Sequence, residues 1–402
     1  MQTPHTTNAR HAGAERRICV VTGSRAEYGI LKPVMHEIRA RRGLTLQVCV
    51  TGSHLSDAFG ATWREIERDG FTIDAKVPMD LARDDAPGVT HASATCLDGF
   101  GACFAALRPD LVLVLGDRYE ILSVANAATI ARVPIAHIAG GDVTEGAFDD
   151  AFRHAITKLS HLHFVTNADA ARRVRQMGEA PSRIHNVGSP SIDVIRTMRM
   201  LSREELAASL GMAFLKRTLL VTFHPVTLGA RSSADDAREL LRALDALGSE
   251  VGIVMTAANA DPEGQRLNEL AQAWAAGKSN VWFRSSLGHE RYLSLMHHCD
   301  AVVGNSSSGI YEAPVLHKPT VNIGERQAGR LRASSVIDVP AHADAIAAAV
   351  TSAFAMDCSR VVCPYGDGHA SPRIVDAIAA IDDLAALLRK RFVELDASSL
   401  AS

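Results

Sequence analysis

Residues 137–154 read HIAGGDVTEGAFDDAFRH and gather two histidines, four carboxylates, an arginine and three glycines into one short stretch. Carboxylates crowded together shift one another's pKa, which suits proton transfer, so His137, Asp142, Glu145 and Asp149 are candidate catalytic groups. Asp149 and Arg153 also stand at i,i+4, the spacing of an ordinary ion pair on a helix surface. No HxxH or HExxH spacing occurs there, so no metal is expected. Residues 111–120, LVLVLGDRYE, end an apolar run in Asp117 and Arg118, where a functional carboxylate and cation would stand. A helix cap is the plainer alternative for Asp117.

Other motifs suit anions. Residues 22–25, TGSR, form a glycine turn leading into a helix, with Arg25 offering a fork for phosphate. Residues 304–312, GNSSSGIYE, read as the N-terminus of a helix carrying the hydroxyls of Ser306, Ser307 and Ser308. Glu312, one turn on, suits the two hydroxyls of a ribose. His224 in FHP, Asn259 after a strand and Arg326 in GERQ occupy similar positions. Two phosphate-compatible sites with an acidic cluster between them suggest a nucleotide-sugar, bound in a cleft between two domains. His161 and His163 read as flanking a strand instead.

The elements that must carry these groups alternate. Short runs rich in Val, Ile and Leu at 18–22, 46–50, 111–115, 134–138 and 163–166 suit buried parallel strands, and amphipathic stretches lie between them. After residues 196–216, where Ser202 and Glu205 have capping-box spacing, the series resumes at 219–223, 251–256, 281–283, 301–303 and 319–323. This predicts an α/β fold of two Rossmann-like domains facing a central cleft, at about 18–195 and 200–370. Residues 1–17 read as a disordered tail without a signal peptide, and 371–402 as a C-terminal helix (about 372–392) and tail.

Composition narrows the partners. At 402 residues the chain suits two or three domains, and 47% hydrophobic against 22% charged residues indicates a soluble globular protein. A net charge of −3 offers no global attraction to nucleic acid or membrane, and no apolar run reaches the ~18–20 residues of a membrane span. Seven scattered cysteines without CxxC spacing indicate reduced thiols and a cytoplasmic location.

The motifs GSRAEYG (23–29), LGDRYE (115–120), RHAITKLSH (153–161), NVGSP (186–190), FHP, GNSSSGIYE and GERQ resemble, in this order, the hydrolysing UDP-N-acetylglucosamine 2-epimerases. That family has a glycosyltransferase-B-like fold. The resemblance implies that Arg25, His224, Asn259, Ser306, Ser307, Glu312 and Arg326 hold UDP, with Arg118 and Ser308 beside them. Asp117, Asp149 and the loop carboxylates would carry the acid/base steps. It implies elimination of UDP to a glycal, then hydration with inversion at C2, with no cofactor. A homo-oligomer, dimer or tetramer, is expected. The first expectation is conversion of UDP-N-acetylglucosamine and water to N-acetylmannosamine and UDP. One departure matters: relatives often read HIEGG where this chain has Ala139. The alternative substrate is therefore UDP-2,4-diacetamido-2,4,6-trideoxyglucose of legionaminic acid synthesis. A glycosyltransferase of the same architecture and a non-catalytic nucleotide-sugar-binding regulator are the other readings.

Overall fold

The computed structural model describes residues 15–57, 60–83, 85–143, 149–226, 232–258 and 264–394. They divide into two compact units, Met1–Val194 with Gly368–Ser402, and Ile195–Asp367. The first unit runs β1 (Arg16–Thr22), α1 (Arg25–Ala40), β2 (Leu44–Val50), α2 (Trp63–Arg68), β3 (Ala75–Lys76), α3 (Ala86–Leu107), β4 (Leu111–Leu115), α4 (Tyr119–Ile130), β5 (Ile135–Ile138), α5 (Asp149–Leu159), β6 (Leu162–Val165), α6 (Ala168–Gln176) and β7 (Ile184–Asn186). Helix α7 (Pro190–Thr197) then leads into the second unit.

The second unit continues with α8 (Arg203–Leu210), β8 (Arg217–Thr222), α9 (Ser233–Ala246), β9 (Val251–Thr256), α10 (Gly264–Ala275), β10 (Val281–Arg284), α11 (Gly288–His298) and β11 (Ala301–Gly304). It ends with α12 (Ser308–Tyr311), β12 (Thr320–Ile323), β13 (Val336–Val339) and α13 (Ala343–Ala355). Helix α8 opens with the expected capping box, Ser202 and Glu205 each accepting from the other's backbone N–H.

Both sheets are parallel. Their strand orders are β3-β2-β1-β4-β5-β6-β7 and β10-β9-β8-β11-β12-β13. In each, the order reverses beside the unit's first strand, between β1 and β4 and between β8 and β11. Adjacent connections leave opposite faces at such a point and open a crevice at the carboxyl ends of the strands, where α/β proteins bind ligands. Strands β1 and β4 are sheathed on both faces: Ile18, Val20, Leu111 and Leu113 pack on one side with α1, and Cys19, Val21, Val112 and Val114 on the other with α3 and α4.

The end of the chain returns to the first unit. Helix α14 (Ala370–Ala379) packs Ile374, Val375 and Ile378 against Leu31 and Val34 of α1, and Arg41 pairs with Asp376 at 2.5 Å. The helical stretch expected over 372–392 is this helix followed by a 3-10 turn at Ala385–Leu388, whose first amides are held by Asp383. All seven cysteines are free thiols. Among the described residues no helix is long and apolar enough to cross a membrane.

Candidate functional site

In the first unit the loop after β4 and the N-terminus of α5 meet. Arg153, on the second turn of α5, is buried and pairs with Asp117 and, at 2.9 Å, with Asp150. The same guanidinium donates to the carbonyl of Asp142 at 2.8 Å. Among the described residues its carboxylate partners include Asp117, two positions beyond β4, and its own i−3 neighbour Asp150. Asp117 is not the cap of α4; Arg118 occupies that position without a side-chain cap bond.

Asp149 opens α5 close to Asp117. Burial first, and then the negative charge of Asp117, push its carboxyl above the usual carboxylate range, while Arg118 and Arg153 oppose the shift. A carboxyl held in this way can take and return a proton nearer neutrality than a free aspartate. Asp142 is tied down, its Oδ1 accepting from Thr166 at 2.8 Å and Asn167 at 3.2 Å. Glu145 lies outside the described residues.

His137 corrects an expectation. Its ring is fully buried, with Nε2 2.8 Å from the carbonyl of Gly116 and Nδ1 3.2 Å from Thr157 Oγ1. Burial drives its pKa down to about 3 despite the bond to Gly116, so the imidazole is neutral. Both nitrogens are engaged within the protein, and the ring braces the ends of β4 and β5. His161 and His163 serve the frame as expected. His161 Nδ1 accepts from Ile135 at 3.1 Å, and His163, inside β6, bonds Glu179 at 3.0 Å.

The turn after β1 also departs from its reading. Gly23 N–H is not open to an anion; it donates to Glu27 at 2.7 Å, and Ser24 caps α1. Arg25 is exposed and pairs with Glu65 at 3.1 Å. Arg118 pairs through Nε with the buried Glu120 at 2.5 Å. Neither Glu27 nor Glu120 stands out in the sequence as a site residue, because ionic residues in a first helical turn usually face solvent.

In the second unit the candidates collect at the other reversal point. Asn305, fully buried at the end of β11, accepts from His224 N–H at 2.7 Å and donates to the His224 carbonyl at 2.8 Å. Its own carbonyl accepts from Arg326 at 3.2 Å and Gln327 at 2.8 Å. One asparagine thus holds three chain segments together. Gly304 is obligatory beside it: at φ 135, an added Cβ would stand 1.9 Å from the Thr222 carbonyl.

Ser306 and Ser308 bond each other at 3.0 Å, and Tyr292 bonds Ser308 at 2.5 Å, whereas Ser307 is exposed. Burial pushes the Glu312 carboxyl up to about 7. The helix expected after the serines is a single turn, α12, because Pro314 disfavours continuation. Anion binding here would rest on hydroxyls and local N–H groups, since so short a helix carries little dipole. Asn259 lies outside the described residues.

Two Rossmann-like units, each with polar groups at its strand-order reversal, make up a fold of the glycosyltransferase-B-like class. Over residues 36–379 the chain matches the family described as UDP-N-acetylglucosamine 2-epimerase. It is 41% identical over 326 residues (81% of this chain, 84% of the relative) to a GDP/UDP-N,N'-diacetylbacillosamine 2-epimerase (hydrolyzing) of Campylobacter jejuni. It is 34% identical over 375 residues (93% and 98%) to a UDP-N,N'-diacetylbacillosamine 2-epimerase (hydrolyzing) of Legionella pneumophila. The crystal structure of a Neisseria meningitidis UDP-GlcNAc 2-epimerase bound to UDP-GlcNAc has the same fold, with TM-score 0.73 at 18% identity over 91% of this chain and all of that one (100%). The chain belongs to the UDP-N-acetylglucosamine 2-epimerase family and is an enzyme acting on a nucleotide sugar.

Proposed function

We propose that the protein is a hydrolysing 2-epimerase of UDP-2,4-diacetamido-2,4,6-trideoxyglucose (UDP-N,N'-diacetylbacillosamine), releasing UDP and the free 2-epimerised sugar. The observation carrying this reading is the Asp117–Asp149 pair: one carboxylate held by Arg153, the other raised toward neutrality. Asp149 removes the C2 proton as the C1–O bond to UDP breaks, leaving a C1–C2 double bond. Water then adds, its oxygen to C1 and a proton to C2 from the opposite face, which inverts C2. Asp117 assists the proton transfers, Asp142 anchors the loop and His137 braces the strand ends. Ser306, Ser307, Ser308, Glu312, His224 and Arg326, with Asn259, hold UDP, and Arg118 and Arg25 offer charge to the substrate.

For the sugar, Ala139 supports the choice. It sits at the end of β5, partly exposed and with φ 65, where by resemblance the epimerases often have a glutamate. Its methyl packs against the apolar core of the first unit, so this position brings no carboxylate, which suits a sugar that carries a methyl at C6 and an acetamido group at C4. The names of the two relatives support the same choice. UDP-N-acetylglucosamine, the first expectation from the sequence, remains the second reading, favoured by the family description. Comparing kcat/KM for the two UDP-sugars decides between them. A preference of tenfold or more, about 1.4 kcal/mol, for the diacetamido sugar is expected, and the reverse preference overturns the choice.

A further inference from the structure

Two glutamates that the proposed chemistry does not use are sealed inside the first unit, at the crevice between β1 and β4. Glu27 of α1 is 7% exposed and Glu120 of α4 is 1% exposed. They converge on Gly23. The Gly23 N–H donates to Glu27 Oε2 at 2.7 Å, and a Cβ on Gly23 would stand 2.8 Å from Glu120 Oε1. The turn after β1 thus has no room for a side chain because Glu120 fills the space. Glu27 Oε1 and Glu120 Oε2 are buried without a hydrogen-bond partner. Such groups are costly, so an arrangement that keeps two of them has another use.

That use is visible at Arg118. Its Nε donates to Glu120 Oε1 at 2.5 Å while its side chain stays 46% exposed. Among the described residues its two terminal nitrogens carry no hydrogen-bond partner, and the guanidinium lies over the Tyr119 ring, 5.9 Å from its centroid. We propose that Glu120 is a positioning residue that aims the free edge of Arg118 at the substrate beside Asp149, with Glu27 packed against it as a spacer. The proposal rests on the reading of Asp149 as the proton-transferring group.

The surrounding charges fit. The groups facing the pair are Arg118 and Tyr119 on the β4–α4 side, Cys96 of α3, Asp149 of α5, and the N–H groups of Gly23 and Ser24. His54, bonded to Thr22 at 3.0 Å, is kept neutral by burial. Burial, with the charge of Glu120, raises Glu27 to about 8. Below that pH Glu27 is protonated, leaving Glu120 as the carboxyl bonded to Arg118. A bare arginine in this position would be free to swing toward Asp117 or the solvent. Tied at Nε, it keeps one orientation, and misplacement of such a group costs on the order of 10²-fold in rate.

The test is a double-mutant cycle on the full chain combined with arginine Nε–H spectra. In wild type, Arg118 Nε–H, assigned by its loss in Arg118→Lys, should exchange slowly with water. That protection should vanish in Glu120→Gln and persist in Glu27→Gln. The kcat of Glu120→Gln should fall ~10-fold or more, toward that of Arg118→Gln, and the double variant should lose no more than Arg118→Gln alone. Glu120→Asp, which keeps the buried charge but shortens its reach, should lose protection and rate together even if the Gln variant folds poorly. An Nε–H signal indifferent to Glu120, or losses that simply multiply in the double variant, overturns the proposal. If wild type turns over no UDP-sugar, the functional reading falls, and the Nε–H spectra still decide whether Glu120 holds Arg118.

Discussion

Arg153 pairs with Asp117, the residue two positions beyond β4, although the carboxylate opening its own helix, Asp149, lies within range of its charge. The pairing separates two neighbouring aspartates into an ion-paired one and one whose proton is held more tightly. Two carboxyls whose environments push them apart are how a site divides acid and base work.

Replacing either aspartate by asparagine keeps shape and removes the charge. Turnover should fall by about 10²–10⁴-fold in Asp149→Asn, with UDP affinity close to wild type. Near-normal turnover in that variant would move the burden to Asp142 or Glu145.

The pH profile gives a second check. A base must be ionised, so kcat/KM should decline as pH falls through the raised pKa of Asp149, above the ordinary aspartate value of about 3.9. Asp117→Asn removes a negative charge that favours the protonated form of Asp149, so the acid limb should move to lower pH. A limb that stays put or moves upward means that Asp117 does not act on the titrating group.

At the UDP end, Ser307→Ala and Glu312→Ala should each weaken UDP binding by about 1–2 kcal/mol, as for the loss of one hydrogen bond involving a charged partner. Calorimetry showing unchanged affinity in both would reduce the segment after β11 to a structural turn.

Ala139→Glu tests sugar selectivity. The substitution restores a carboxylate at the end of β5 and should shift the ratio of kcat/KM values toward UDP-N-acetylglucosamine by about tenfold. The left-handed backbone at Ala139 already costs on the order of 1 kcal/mol, so stability should be measured alongside. An unchanged ratio removes Ala139 from the recognition of the sugar.

A stability prediction concerns Glu179, fully buried and bonded by Lys158 at 2.7 Å, Lys390 at 2.8 Å and His163 at 3.0 Å. Burial opposes its ionisation, but these three bonds together pull its pKa down to about 2. The folded value lies below the unfolded one, so the stabilisation is complete above about pH 4.5 and is lost as pH falls toward 2. Glu179→Gln should cost about 3 kcal/mol at neutral pH and flatten the acid limb of the stability curve, as read by urea unfolding at several pH values.

The strands were legible where the sheet is central. The run 111–115 is strand β4 to the residue, because a strand covered on both faces must be apolar throughout. Strands β3, β7 and β13 escaped, since two to four residues at or near a sheet edge carry no such run. The neighbourhoods of Asp117 and Asp149 were also legible, because parallel strands deliver their carboxyl ends to one edge. What the sequence did not disclose depends on contacts far apart in the chain. The choice of Asp117 by Arg153 spans 36 positions, and the hold of Asn305 on His224 spans 81. That both ring nitrogens of His137 are engaged shows only in the folded chain.

The most direct measurement of the central claim is the product formed from the UDP-sugar in D₂O, without any acceptor, followed by NMR. Elimination and hydration predict one UDP released per free sugar, with C2 inverted and carrying deuterium. Retention of the original C2 hydrogen, an intact UDP-sugar as the epimerised product, or dependence of UDP release on an added acceptor would contradict it.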